Sequence, residues 1–328
     1  MTGPETVTLG VPAYRGAAYI AESLSSVQAQ THEDLEVLIS LDGADADTEE
    51  ACRPFLDDPR FRLTVRPERL GWVGNFNWLV DQAATPFWCY QQQDDVLDPT
   101  YLETLVHAAR RHPEAAVVYC DMQTFGTVEQ LVTQPSVGGS SSGRQLALLY
   151  DHHAAVALRG LCRLQALRDA GRLRSNGVED FASDTVWLSS MARAGELVRV
   201  PGTLYRKRFH ADNEHTRWAR WPDERRRHGW IVHCAEMLDE AMACEAGVDE
   251  RRLLYDATLV RLTTARRAPE YLPASARTDE GRRQLLADFF AHLRATARPD
   301  LPELLGTDWP RLRRATRRWG QVLEKQRS

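Results

Sequence analysis

The first 121 residues alternate short apolar runs with amphipathic stretches five times over, and few folds accept that pattern. Val7 to Val11, Leu35 to Leu41, Phe61 to Val65, Phe87 to Tyr90 and Ala116 to Asp121 read as strands. Between them lie four helical stretches: Ile20, Leu24 and Val27; residues 44–56; Phe76, Leu79, Val80 and Ala83; and Tyr101, Leu102, Leu105, Val106 and Ala109. Strands that alternate with helices are joined by crossovers, so the sheet is largely parallel, with helices on both faces. The class is α/β. In such a sheet neighbouring strands end at one edge, and that edge is where ligands bind.

Three of these strand ends carry polar groups: Pro12-Ala13-Tyr14, Asp42, and Gln93-Asp94-Asp95. A parallel sheet brings them into one site of nucleotide size. Asp94 and Asp95 lie between a strand and a helix opened by Asp98 and Pro99. Adjacent carboxylates repel and resist desolvation, so they favour a cation. Oxygen ligands of this kind suit Mg²⁺ or Mn²⁺, which commonly bridges to substrate phosphates. An isolated Asp-Asp is also an ordinary solvated turn. No G-x-x-x-x-G-K-[ST] or G-x-G-x-x-G follows the first strand, which argues against a phosphate-loop NTPase and a dinucleotide enzyme.

Several segments in order carry a resemblance. Val7-Thr8-Leu9-Gly10-Val11-Pro12-Ala13-Tyr14-Arg15-Gly16 resembles the opening V-x-I-P-x-Y-N-G of family 2 glycosyltransferases, with Arg15 in place of Asn. Ser26 to Gln30 and Leu35 to Asp42 resemble that family's S-x-x-x-Q-T segment and second strand. Gly71 to Asn77 is similar to its G-x-x-x-N-x-N region. Gln92-Gln93-Asp94-Asp95 stands where the family has D-x-D-D, with Gln92 in place of an acid. The resemblance spans roughly residues 5 to 215. It implies the GT-A fold, inverting sugar transfer from a nucleotide-diphosphate donor, and Mn²⁺ or Mg²⁺. Pro12, Ala13, Tyr14, Asp42, Asn75, Asn77, Gln93, Asp94 and Arg206 would then bind the donor. Asp94, Asp95 and His210 would hold the metal. Asp42-Gly43 alone is equally a turn, and Asn75 and Asn77 are equally helix caps.

Residues 133 to 144, rich in Ser, Gly and Thr, read as a mobile loop, Val156 to Cys162 as a strand and Leu164 to Ala170 as a helix. Thr185 to Ala194 reads as a helix on which Asp184, Trp187, Leu188 and Met191 share one face. A carboxylate at the head of an apolar face suits a general base. In the family, an acidic pair precedes Ala-Gly and a V-P-x-x-L-Y-R strand, here Ala194-Gly195 and Val200 to Arg206. Counting back places the base on Asp184, with Glu179 and Asp180 as alternates and a capping role as the plain reading. His152-His153 lacks the ligand spacing of a zinc site.

From Trp218 onward the pattern is helical. Trp230, Ile231, Cys234, Met237, Leu238, Ala241 and Met242 form one apolar stripe, and Leu312, Ala315, Trp319, Val322 and Leu323 another, opposite a basic face. These helices pack on the sheet domain or on a second subunit. Trp218 and Trp221 offer flat platforms for an acceptor. Domains are therefore expected at 1–215, for donor binding and catalysis, and 216–328, for the acceptor side or oligomerisation. A net charge of -5 argues against nucleic acid as partner. The six cysteines lack metal spacing, and no apolar run approaches a bilayer span. Only Lys207 and Lys325 are lysines, a bacterial coding bias. The expectation is a cytoplasmic hexosyltransferase-type enzyme, with membrane contact through the basic face as a variant. The acceptor is a glycan, lipid-linked saccharide, peptide or natural product. The rivals are a nucleotidyltransferase on a similar scaffold and a non-catalytic nucleotide-sugar or glycan-binding module.

Overall fold

A computed structural model describes residues 5–151, 154–210, 218, 220–265 and 271–296. In order they form β1 (Val7–Ala13), α1 (Ile20–Gln28), β2 (Leu35–Leu41), α2 (Ala46–Cys52), β3 (Phe61–Val65), α3 (Gly71–Gln82), β4 (Phe87–Tyr90), β5 (Val96–Leu97), α4 (Tyr101–Arg111) and β6 (Ala115–Gly126). There follow β7 (Leu131–Val132), α5 (Ser141–Tyr150), β8 (Leu161–Arg163), α6 (Leu164–Ala170), α7 (Ser183–Ala194), β9 (Glu196–Phe209), α8 (Asp223–Met242), α9 (Val248–Thr264) and α10 (Asp279–Ala295).

Nine strands make one sheet in the order β3-β2-β1-β4-β8-β6-β9-β5, with β7 added on β6. The first four are parallel, as the alternation predicts: Val7 pairs with Leu35 and with Phe87, and Val37 with Phe61. Val7, Leu9, Val11, Val37, Ile39 and Leu41 are buried. These apolar residues alternate along the strands, and Thr8, Gly10 and Ser40 between them are buried too, so both faces are covered there. The sheet is mixed beyond β4. β8 runs antiparallel to both β4 and β6, and β5 antiparallel to β9. The stretch 155–159 is a tight helical turn, so the strand expected at 156–162 reduces to Leu161–Arg163. Part of the expected mobile loop is helix: α5 begins at Ser141, its cap Ser140 accepting the Gly143 amide through Oγ at 3.1 Å.

The chain divides into two compact units. One is Met1–Gly138, Ala154–Arg174 and Ala194–Ala211; the other is Gly139–His153, Ser175–Arg193 and Asp212–Ser328. Both are therefore discontinuous in sequence, with 139–153 and 175–193 packing among the later helices. The first unit carries the sheet. In the second, Trp230, Ile231, Cys234 and Leu238 of α8, Leu259 and Leu262 of α9, and Leu285, Phe289 and Leu293 of α10 share a core. The stripe at residues 312–323 and His152-His153 lie outside the described residues. Among the described residues no helix is long and apolar enough to cross a membrane, and all six cysteines are buried free thiols.

Candidate active site

The carboxyl edge of the parallel strands gathers most of the expected donor-site residues in the first unit. β4 stops opposite Gly10, three residues short of the end of β1. Beyond it, Gln93 clasps Tyr14. Gln93 Oε1 accepts the Tyr14 amide at 2.9 Å, and Nε2 donates to the Tyr14 carbonyl at 3.0 Å. Gly16 leaves room for that clasp, since a Cβ there would lie 2.2 Å from Gln93 Oε1. Pro12 is half-buried and Ala13 buried at the end of β1. Tyr14 stays half-open, with the Arg69 guanidinium 3.7 Å from its ring centroid and Arg15 at 5.2 Å.

Asp42 ends β2 and is only 2% exposed. Its Oδ1 accepts the Leu70 amide at 2.6 Å and its Oδ2 the Gly71 amide at 2.9 Å. The carboxylate thereby satisfies orphan donors at the start of α3. Gly43 makes the turn that follows with φ +97. α3 starts earlier than expected, so Asn75 and Asn77 lie inside it and cap nothing. Asn77 Nδ2 donates to the Leu173 carbonyl at 2.8 Å and its Oδ1 accepts the Leu173 amide at 3.0 Å. Asn75, 2% exposed, donates to the Ser40 carbonyl at 2.9 Å. Both asparagines pin α3 to its neighbours, Asn77 through both amide atoms and Asn75 through Nδ2.

The two adjacent acids separate into different environments. Asp94 faces outward enough to meet His210, whose Nε2 is 2.9 Å from Asp94 Oδ2, and the His210 ring lies 5.0 Å from that of Tyr19. Asp95 is fully buried. Its Oδ2 accepts the Tyr205 hydroxyl at 2.7 Å and its Oδ1 the Arg208 amide at 2.8 Å, with Arg159 Nε 3.5 Å from Oδ2. Burial and the neighbouring Asp94 push the Asp95 carboxyl up to about 6, against the pull of Arg159, Lys207 and the Tyr205 hydroxyl. Both of its oxygens serve protein donors. Among the described residues no group of three His, Cys, Asp or Glu side chains is disposed to hold an ion. Asp94 and His210 remain a fitting pair of donors, one carboxylate and one imidazole.

Arg206 is exposed, its guanidinium 4.5 Å from the Phe125 ring centroid. Arg208 lies beside the acidic loop. Its Nε donates to the Asp94 carbonyl at 3.1 Å, its Nη2 pairs with Glu22, and its guanidinium lies 5.0 Å from the Tyr19 ring. The sequence reading also missed Arg159, which is buried and donates to Gln92 Oε1 and to the Ala155 carbonyl at 3.0 Å. A lone arginine inside the apolar run Val156 to Leu161 was the available signal, since a cation there must find a buried partner.

In the second unit Asp184 sits in the first turn of α7, half-buried, above the buried Trp187, Leu188 and Met191. Its Oδ1 accepts the Thr185 amide at 2.8 Å, and among the described residues its Oδ2 takes no hydrogen bond. The alternates are engaged. Asp180 Oδ1 accepts from Ser175 Oγ at 2.6 Å, and Glu179 pairs with Arg225. Trp218 and Trp221 are 9% and 7% exposed and pack on Phe181 in the helical core.

Comparison with known proteins adds the following. Residues 8–160 match Glycosyl transferase family 2. An uncharacterized glycosyltransferase of Haemophilus influenzae is 29% identical over 221 residues, 63% of this chain and 66% of its own length. Glycosyltransferase GlyA of Streptococcus pneumoniae is 25% identical over 101 residues, 31% of this chain and 14% of its own. The chain thus spans about two thirds of the first relative and a small part of the second. Among solved structures, S. aureus TarS 1-349 in complex with UDP-GlcNAc superposes with a TM-score of 0.64 at 16% identity, over 87% of this chain and 80% of that one. Mannosyltransferase PcManGT from Pyrobaculum calidifontis, in complex with GDP-Man and Mn2+, gives 0.56 at 18% identity, over 89% and 81%. At such identities the likeness is one of fold.

Proposed function

Since residues 8–160 form a family 2 glycosyltransferase domain, we propose that the protein moves a sugar, with inversion, from a nucleotide-diphosphate donor to an acceptor hydroxyl. The observation that carries this reading is the split of the Asp94-Asp95 pair at the sheet edge. One acid is buried as a strut, and the other is half-buried beside His210. Such an edge receives the donor, and the solved relatives of the same fold were captured with UDP-GlcNAc and GDP-Man.

In this reading Tyr14, held by Gln93, offers a ring face to the nucleotide, and Arg69 lies over that face. Arg208 places a cation beside the acidic loop, where a diphosphate needs one. Asp94 and His210 would hold a divalent ion. Mn²⁺ suits a mixed carboxylate and imidazole set better than Mg²⁺, which favours oxygen alone. Once bound, the ion neutralises charge on the leaving diphosphate. Asp184 accepts the proton of the acceptor hydroxyl at its Oδ2, the oxygen not committed to the helix start. Domain roles follow the same reading: donor binding in the first unit, with the base Asp184 and acceptor contacts or self-association in the second.

The test is thermal stabilisation of the pure protein by UDP, GDP, dTDP and CDP, each with and without Mn²⁺. Release of nucleoside diphosphate from the matching nucleotide sugars is measured beside it. Stabilisation by one nucleotide, enlarged by the metal, is the expected result. Asp184→Asn should cut turnover by about 10²–10⁴-fold, the usual contribution of a general base, with nucleotide stabilisation unchanged. No stabilisation with any pair refutes the donor site, and full turnover in the Asn variant refutes the base.

A further inference from the structure

Asp184 follows a loop whose backbone is held in an unfavourable shape. Glu179, Asp180 and Ala182 all have positive φ, of 50, 54 and 53 degrees, and none is glycine. Side chains rarely tolerate that region, so three such residues within four positions persist only where the surroundings enforce them. Local bonds supply part of that constraint. Asn176 Nδ2 donates to the Phe181 carbonyl at 2.8 Å, the Val178 amide to Asn176 Oδ1 at 3.0 Å, and the Ser183 amide to the Asp180 carbonyl at 3.1 Å.

The larger constraint comes from the residue between the strained positions. Phe181 is 1% exposed and lies inside the helical core of the second unit. Its ring stacks on Trp221 at 5.5 Å and meets the edges of Trp218 at 5.2 Å, Tyr271 at 5.6 Å and His233 at 6.3 Å. Gly229 of α8 lets the helix approach, since a Cβ there would come within 3.2 Å of Trp221 and 3.4 Å of Phe181. At the other end of α7, Arg144 of α5 donates to the Ala192 carbonyl at 2.5 Å, and Gln145 and Ser189 exchange two hydrogen bonds. Helix and loop are thus clasped at both ends by elements of one packing unit.

We propose that Phe181 is a positioning residue. The carboxyl-terminal helices grip its ring, keep the strained loop 179–182 closed, and so set the direction of the Asp184 carboxylate. The acceptor-side helices would then act on catalysis without touching substrate. This inference rests on the reading of Asp184 as the base.

The test uses full-length Phe181→Leu, which keeps an apolar side chain and loses the aromatic contacts, and Trp221→Leu on the far side of the same contact. Hydrogen exchange of the peptide 176–184 is followed by mass spectrometry. Nucleoside diphosphate release is assayed with UDP-GlcNAc, UDP-glucose and GDP-mannose. In both variants loop exchange should rise at least tenfold, with β1 and β2 peptides unchanged. Turnover should fall at least tenfold with the donor KM unaltered, a split that a general loss of stability does not produce. Unaltered loop exchange overturns the clamp, and raised exchange with full turnover overturns its role in catalysis. Asp184→Asn, run in parallel, should abolish turnover and leave loop exchange at the wild-type level. Full turnover in that variant sinks the base assignment instead, while the exchange data still decide whether the clamp exists. Should Phe181→Leu fail to fold, Gly229→Ala presses on the same two rings from α8 and serves as the readout.

Discussion

Tyr205→Phe isolates the bond that makes Asp95 a strut. Tyr205 is buried on β9 and donates to Asp95 Oδ2 at 2.7 Å. Phenylalanine keeps the ring, its edge contact with Tyr101 at 5.8 Å and its place 5.9 Å from the Arg159 guanidinium, so only the hydroxyl is tested. A hydrogen bond to a charged, buried partner contributes about 1.5–3 kcal/mol, and Asp95 retains the Arg208 amide and Arg159, so the loss belongs to one bond. At roughly 2–4 °C per kcal/mol for a unit of this size, the melting temperature should fall by about 3–12 °C. Scanning calorimetry reads it, and hydrogen exchange in β4 and β9 locates it. The Mn²⁺-dependent part of nucleotide stabilisation should shrink as well, because Asp94 shares its loop with Asp95. A melting temperature within about 1 °C of wild type, with β4 protection intact, would refute the strut.

Other consequences follow from the same geometry. Gly16→Ala places a Cβ 2.2 Å from Gln93 Oε1 and should open the Tyr14 clasp, weakening nucleotide-induced stabilisation while the resting melting temperature changes little. His210→Ala should abolish the Mn²⁺ increment of nucleotide stabilisation and spare the metal-free part; an unchanged increment places the ion elsewhere. Two Arg199 hydrogen bonds of 2.7 Å hold the Asp121 carboxyl below its ordinary value of 3.8. A depressed carboxylate stabilises the fold above its unfolded pKa and loses that contribution as acid protonates it. Arg199→Leu should therefore flatten the acid limb of stability below about pH 4, as read by denaturation at stepped pH, and leave its shape above pH 5 alone.

Much of the donor-side scaffold was legible along the chain. The runs at Val7, Leu35, Phe61 and Phe87 are strands in parallel register, as their alternation with helices requires. The position of Asp94 and Asp95 after one of these strands was equally legible. Helix periodicity named the α8 stripe, of which Trp230, Ile231, Cys234 and Leu238 are buried and Met242 is partly buried. Less legible was the far half of the sheet. β8 is three residues long and β5 two, too short for period-2 alternation to declare them. Arg159 and the partnership of Tyr205 with Asp95 escaped for a related reason, since each meets the acidic loop from a segment distant in sequence.

Local chemistry in the sequence therefore determined which segments are strands, which are helices, and which acids stand at strand ends. Those properties depend on neighbours a few residues away, and periodicity records them. Tertiary structure alone decided what each polar group does. Asp95 and Tyr205 are 110 positions apart and share a hydrogen bond. Asn77 spends its amide on Leu173, 96 positions away, and Trp218 and Trp221 close around Phe181. A buried donor or acceptor must find a partner, and the partner available is set by where the fold brings the chain back.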